Sequence, residues 1–441
     1  MRDLQARRSL NRRFAAPSPG GRGARDRRLG IDCENGVGSG AGQETMTEQN
    51  MQLLDYVPRS ELETRWARVR RYMECDALIV LHNVGIYYLT GTTQSGVLWF
   101  PREGEPVLAV RKSYERAKAE STLNNIVPFR SYSELPSLIP NPGKTLGFEL
   151  DVVPVSTYEQ VVKHFKNSTP VDGSLVLRKA RGVKTPYEVD CIRHAAQQLD
   201  RAFLDIPSQL REGMAEIDLG ARIEFVMRSA GHQGLTRVRR FNMEMHYGAA
   251  SFGDTAAYPH SFDGPVGVRG LYTAVPAMGG RKQLRRGEPV IVDIVGGYAG
   301  YIADGTRVYS LGPLPQELTD AHAFILELNA WIEEQLRPGE IPGDIYTRIL
   351  ERVGKSTYAS KFMGAGENQV KFVAHSVGLE LDELPVIAPK YEVPFEANTV
   401  MAVEPKIFFP GVGGVGTENT YVIRDGAPER LTTCAQEIYV V

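Results

Sequence analysis

Three stretches of this 441-residue chain place acids where a strand would ordinarily be apolar. In EPVIVDIVGGYAGYIADGTRVYSLG, Asp293 interrupts the run Val290-Ile291-Val292, and Asp304 follows eleven residues later across a glycine-rich turn. A hairpin of that length brings two strand residues side by side. Taken alone, the pair reads equally well as a turn aspartate and a capped strand end. In VAHSVGLELDELPVIAP, His375 follows Phe372-Val373-Ala374, a setting in which a lone histidine is ordinarily a satisfied core residue. In NTVMAVEPKIFFPGVGGVGTENTYVI, Glu404 continues the run Val400-Met401-Ala402-Val403, and Glu418 just precedes the strand-like 420–423. A buried carboxylate without a partner costs several kcal/mol, on the order of a domain's whole stability. Four of them need counter-charge. Lys and Arg are scarce in these stretches beyond Arg307 and Lys406. Two divalent cations would do it directly, balancing four carboxylates and one neutral imidazole.

The elements that must position these residues are α+β. Order is expected from Ser60, where Ser60-Glu61-Leu62-Glu63 reads as a capping box ahead of Leu62, Trp66, Val69 and Met73 at helical spacing. A strand at 77–81, a hairpin of 97–100 with 107–110, a helix over 114–120, a strand at 145–150 and a helix over 158–165 make an α/β domain spanning 51–180. Thr185 as N-cap, with Pro186 at the first helical position and Glu188 at the third, opens the next helix. Its apolar face is Val189, Ile192, Ala196, Leu199 and Phe203. The cations before it (Arg178, Lys179, Arg181 and Lys184) read as a solvated linker. Residues 181–441 form the second domain, with helices near 215–229, 316–336 and 345–353. Strands at 290–295, 306–311, 399–409 and 420–423 give it a large, mostly antiparallel sheet.

Composition excludes several classes. Hydrophobic residues make up 42% and charged residues 24%, so a packed core is within reach. The net charge of -2 carries no basic surplus for nucleic acid or an anionic membrane. Cys33, Cys75, Cys191 and Cys434 are scattered with no CxxC pair, which excludes a disulfide scaffold and a cysteine zinc site and suits a reducing, cytoplasmic setting. No apolar run approaches the roughly 20 residues of a membrane span. Residues 1–30 carry nine Arg and two Asp, leaving a net of -9 for the remainder. Residues 1–50 read as a disordered Arg/Gly-rich extension, with Met46 as the natural initiator.

The acids and the histidine resemble, in order and local wording, the pita-bread metallopeptidases: methionine aminopeptidase, aminopeptidase P and prolidase. VIVDIVGGYAGYIADGTRVY resembles that family's aspartate pair, AHSVGLELDELP its metal histidine, and VEPKIF with GTENTYVI its two glutamates. Upstream, residues 60–180 look like the creatinase-type N-terminal domain, and KTPYEVDCIRHA resembles the helix that opens the catalytic domain. The resemblance implies that Asp293 chelates one metal ion and His375 with Glu404 the other, while Asp304 and Glu418 bridge both. Glu404 would accept a proton from the attacking water. Oxygen-rich ligation suits Mn²⁺, Co²⁺, Fe²⁺ or Zn²⁺, with Mn²⁺ favoured. His260, in DTAAYPHSFDGP, matches the family's substrate-side histidine, with His246 in EMHYGAA as the reserve. The expected activity is release of the N-terminal residue from Xaa-Pro dipeptides or Xaa-Pro-Yaa peptides by a homodimer.

Two positions depart from the aminopeptidase P and prolidase pattern, and both normally face the substrate. Asp382 stands where a second histidine is usual, seven residues after His375; Gly416 stands where an arginine is usual, two residues before Glu418. An added acid and a missing carboxylate fork leave a small, cationic non-peptide substrate for a hydrolase or lyase as the alternative. A non-catalytic adaptor is the third reading, and retention of all five ligand positions argues against it. Gly411 to Gly416 match GxGxxG, but the strand-like Thr417-Glu418-Asn419-Thr420 follows in place of a helix, so the run reads as a connection that delivers Glu418.

Overall fold

The computed structural model describes residues 56–441, so the extension expected over 1–50 lies outside the described residues. In the N-terminal part, six strands run in the order Ile126–Pro128, Val107–Val110, Gly96–Pro101, Ala77–Val80, Thr145–Phe148, Thr169–Asp172. Every residue of the central Ala77–Val80 is buried, as an unbroken apolar run requires when both faces are covered. The first helix, Arg59–Arg71, starts one residue earlier than the expected capping box and has Pro58 as N-cap without a side-chain cap. Glu61 is drawn inward instead, accepting from Arg65 Nε at 2.6 Å and from Thr185 Oγ1 at 2.8 Å. The second capping box forms as expected: Glu188 N donates to Thr185 Oγ1 at 3.1 Å, and Thr185 N to Glu188 Oε2 at 2.8 Å.

That box opens the helix Pro186–Gln209, whose apolar face packs on the hairpin Pro289–Tyr298 and Tyr301–Ser310. The approach is close: a Cβ on Gly296 would lie 2.1 Å from the Ala195 carbonyl oxygen, so only glycine fits. The hairpin belongs to a four-stranded sheet with Gly248–Phe252 and Tyr439–Val440 at its edges. A five-stranded sheet runs Glu383–Ile387, Ala374–Ser376, Val400–Val403, Asn419–Val422, Glu429–Arg430. The single large sheet expected from the sequence is thus divided, though nearly all its pairings are antiparallel. The strand expected at 399–409 breaks at Glu404-Pro405. Pro405 offers no N–H to the ladder, so Val400–Val403 stays in the five-stranded sheet while Lys406–Phe409 pairs with Gly413–Gly416 in a separate hairpin. A bridge between Thr306 and Glu418 joins the sheets. Helices Gln316–Gln335 and Pro342–Gly354 cover a second core centred on Ile325, Ile345 and Ile349. Among the described residues, no helix is long and apolar enough to cross a membrane.

The basic cluster expected to be solvated is so only in part: Lys179 is exposed and Arg178 half-buried, but the other two cations are not. Arg178, Lys179 and Arg181 belong to a helix, Ser174–Gly182, and both Arg181 and Lys184 are buried. Arg181 pairs with Glu380 and, at 3.3 Å, with Glu383. Lys184 Nζ donates to Glu383 at 3.2 Å and to Ser376 Oγ at 2.7 Å. Arg239 extends the network to Glu149 at 3.1 Å, Asp151 at 2.7 Å and Glu380 at 3.6 Å. Buried cations need paired anions, and the segment after His375 supplies them. Breaking one side strands the other, so Arg181→Met is expected to lower stability by about 3–5 kcal/mol. Urea unfolding would measure it; a midpoint unchanged from the parent would contradict this role.

Candidate metal centre

Each acid reaches the centre for a local reason. Asp293 lies opposite Thr306 and Asp304 opposite Val295, so the two aspartates share one face of the hairpin on a diagonal rather than directly across. Thr420 Oγ1 accepts from Asp304 N at 3.0 Å and donates to Asp304 O at 2.8 Å, fixing that turn of strand. His375 sits in Ala374–Ser376, where the ladder to Glu383–Ile387 shifts register between His375 and Ser376. Such an irregularity re-aims a side chain. Glu404 follows Val400–Val403, its N–H donating to the Val373 carbonyl at 3.0 Å. Glu418 exchanges backbone hydrogen bonds with Thr306, whose Oγ1 donates to Glu418 Oε2 at 2.8 Å.

The five residues converge. His375 Nε2 is 3.5 Å from Glu404 Oε1 and 3.9 Å from Asp304 Oδ2. Two donors about 2.1 Å from one ion stand no more than about 4.2 Å apart, so this spacing suits shared coordination. Asp304, His375 and Glu418 offer one set of mutually close ligand atoms, and Asp293, Glu404 and Glu418 a second. His375 Nδ1 lies 3.0 Å from the Leu381 carbonyl, an arrangement that leaves Nε2 facing the acids, as metal-binding imidazoles are held. Glu418 Oε1 is buried with no hydrogen-bond partner. These features fit a divalent cation.

Electrostatics say the same. Burial, with Glu418 nearby, raises the Asp293 carboxyl to about 6 despite Lys406. Burial and the neighbouring Glu418 and Asp293 push Asp304 well above the usual carboxylate range. Burial opposes a charged His375, yet Glu404, Asp382 and Asp304 together pull it up to about 10. The oxygens demand positive charge at the position His375 Nε2 faces.

A cavity opens above the centre, and Asp293, Asp304, His375 and Glu404 form its floor. Asp382 lines it too; burial raises its carboxyl, and His375 offsets this only in part. His260 is in the wall, but its ring is committed to its own loop. Phe262 N donates to Nδ1 at 3.1 Å, so Nε2 carries the proton and donates to the Val266 carbonyl at 2.9 Å. The neutral ring has nothing left for proton transfer in this arrangement. His246 is exposed on the same cavity. Gly416 is not among the lining residues. It is buried opposite Lys406, which corrects its expected place beside the substrate. Lys406 itself was legible only as a scarce cation, and the structure places it inside the acid cluster. Burial disfavours its charge, but Asp293, Glu404 and Glu418 outweigh that and hold it well above the ordinary lysine range.

The family model for metallopeptidase family M24 matches residues 190–425, more than half of the chain. The chain belongs to metallopeptidase family M24. The creatinase/prolidase N-terminal domain model matches residues 65–183, so both halves carry family signatures. The Xaa-Pro dipeptidase of Pyrococcus furiosus is 26% identical over 386 residues, covering 86% of this chain and 100% of that enzyme. That of Pyrococcus horikoshii is 25% identical over 368 residues, covering 82% of this chain and 94% of its own. The fold matches an X-Pro aminopeptidase structure from Thermotoga maritima with a TM-score of 0.71 at 23% identity, covering 85% of this chain and 100% of that one. It matches an Xaa-Pro dipeptidase structure from Bacillus anthracis with a TM-score of 0.72 at 22% identity, covering 86% and 100%. The creatinase-like and pita-bread architecture expected from the sequence therefore holds.

Metal should bind the folded chain and not the unfolded one, which lacks the converged set. At a hundredfold excess over Kd, binding stabilises a protein by about 2.7 kcal/mol. Mn²⁺ is therefore expected to raise the unfolding temperature of the parent, and Asp304→Asn or His375→Ala to abolish the rise. An equal rise in both variants would move the metal elsewhere.

Proposed function

We propose that the chain is a divalent-metal-dependent exopeptidase that releases the N-terminal residue from Xaa-Pro dipeptides or Xaa-Pro-Yaa peptides. The observation that carries this reading is the convergence of Asp304, His375 and Glu404 at the floor of one cavity, with Glu418 buried against them. The curated Xaa-Pro dipeptidases, similar along most of the chain, support the choice of bond. Carboxylate oxygens with one imidazole suit Mn²⁺ first among Mn²⁺, Co²⁺, Fe²⁺ and Zn²⁺. A divalent ion bound there supplies a Lewis acid for the scissile carbonyl and lowers the pKa of a nearby water. Glu404 Oε1, facing the cavity floor beside His375, is the group we assign to accept that water's proton. Asp293 completes the acid cluster. Two ions, the number implied by family resemblance, would require Lys406 to give up the oxygens it now holds.

Asp382 has a different part. A cavity acid attracts a cationic or hydrogen-donating group of the ligand, such as a substrate ammonium. The same observation favours the second reading, a small cationic non-peptide substrate, since Gly416 supplies no guanidinium for a carboxylate. We extend the proposal to a cytoplasmic homodimer; the buried free thiols of Cys75, Cys191 and Cys434 suit a reducing compartment.

The test is mass spectrometry of amino acids released from Xaa-Pro and Xaa-Pro-Yaa panels by Mn²⁺-loaded protein. Release abolished by chelator is expected, with a roughly thousandfold lower kcat/KM in Asp304→Asn, about 4 kcal/mol of transition-state stabilisation. Silence of the loaded parent across both panels would overturn the peptide reading and favour the cationic metabolite.

A further inference from the structure

We propose that the Lys406 ammonium occupies one of the two cation positions in the acid cluster, so that the centre takes a single divalent ion at Asp304, His375, Glu404 and Glu418. The inference rests on the metal-centre reading above and departs from the two-ion expectation.

Lys406 is fully buried, with Nζ 2.5 Å from Glu404 Oε2, 3.0 Å from Glu418 Oε2 and 3.4 Å from Asp293 Oδ2. Those three carboxylates make up the second set of close ligand atoms. An ammonium has three donors, and three acids surround this one. A dication at the same place would need those oxygens at about 2 Å, the space Nζ already fills, and the two positive charges would repel at contact range.

The remaining oxygens point the other way. Glu404 gives Oε2 to Lys406 and keeps Oε1 near His375 Nε2, at 3.5 Å. Glu418 gives Oε2 to Lys406 and Thr306 while Oε1 stays without a partner. Each glutamate thus spans the lysine and one open position, to which Asp304 and His375 also contribute. A single dication fits there.

Gly416 belongs to the same device. It pairs with Lys406 across the hairpin, and a Cβ on it would lie 2.7 Å from Lys406 Cγ and 2.7 Å from the Pro405 carbonyl oxygen. Its missing side chain is the room through which the lysine stem reaches the acids. The Lys406 backbone is fixed as well, its carbonyl accepting from Met363 N at 2.8 Å. Lys406 and Gly416, ten positions apart in the chain, face each other across the hairpin and act together.

The full chain, dialysed against Mn²⁺ and then buffer, would be assayed by inductively coupled plasma mass spectrometry and by electron paramagnetic resonance. One Mn per chain with an uncoupled six-line signal is expected for the parent. Lys406→Ala is expected to take two, with spin coupling between them, and Lys406→Ala combined with Asp293→Asn to return to one. Two ions in the parent would overturn the inference while leaving the metal centre intact, and that count decides even if the variants fail to fold. One ion in a folded Lys406→Ala would overturn it too. No metal in either protein would overturn the metal-centre reading, and the inference with it.

Discussion

Four carboxylates set into apolar strands must be neutralised where they stand, and the catalytic half of the chain is arranged around that demand. Solvent relieves them little: Asp304, Glu404 and Glu418 are buried, and Asp293, with 17% of its side chain exposed, lies between fully buried Val292 and Ile294. Placed separately, each would destabilise its strand by several kcal/mol. Brought together they repel, but they also make a site in which one cation satisfies several oxygens at once. The division into sheets achieves this. Asp293 and Asp304 come from the four-stranded sheet, His375 from the five-stranded one, Glu404 from the break at Pro405, and Glu418 from the bridge that joins the sheets.

The N-terminal half contributes through charge as well. His375 lies beside Ser376, which is held by Lys184 Nζ, while Glu380 and Glu383 on the following turn are held by Arg181 and Arg239. Arg239 in turn pairs with Glu149 and Asp151 of the N-terminal domain. The imidazole is therefore positioned by a network that leaves the metal centre at once and ends in another part of the fold. Such pairs add little net stability over an apolar equivalent, but they tolerate one arrangement only. That selectivity suits a ligand that must be placed to a fraction of an ångström.

These facts mark what a sequence can disclose. Asp293, Asp304, Glu404 and Glu418 stood out because each interrupts or adjoins an apolar run, and a strand carries that contradiction in its own few residues. Thr185 and Glu188 were equally legible, since a capping box is a local affair. Arg181 and Lys184 were misread because a run of cations is ordinarily solvated, and Glu383, the partner of both, lies 199 residues from Lys184. Ser60 was misread as a cap because the helix already begins at Arg59, which takes Glu63, the acid of the expected box, at 2.8 Å. His260 was recognised by its local wording, but the hydrogen bonds that occupy its ring are formed by a loop whose path no periodicity reports.

Lys406 shows why the type of cation matters, beyond its charge. Formally, four carboxylates and one ammonium leave the centre at -3 in the absence of metal, against -4 without the lysine. The acids are less strained before any ion arrives, and Asp293 and Glu418 keep their places when an ion leaves. A lysine cannot be chelated away or exchanged, so one of the four negative charges is neutralised by the chain itself. It also cannot replace what a metal does chemically: a saturated ammonium has no open coordination position for a substrate carbonyl. The polarising role must then fall to the open position beside His375, where Glu404 Oε1 also points, so that base and electrophile gather on one side of the cluster. The other side becomes structural, and the space left by Gly416 is what makes that exchange possible.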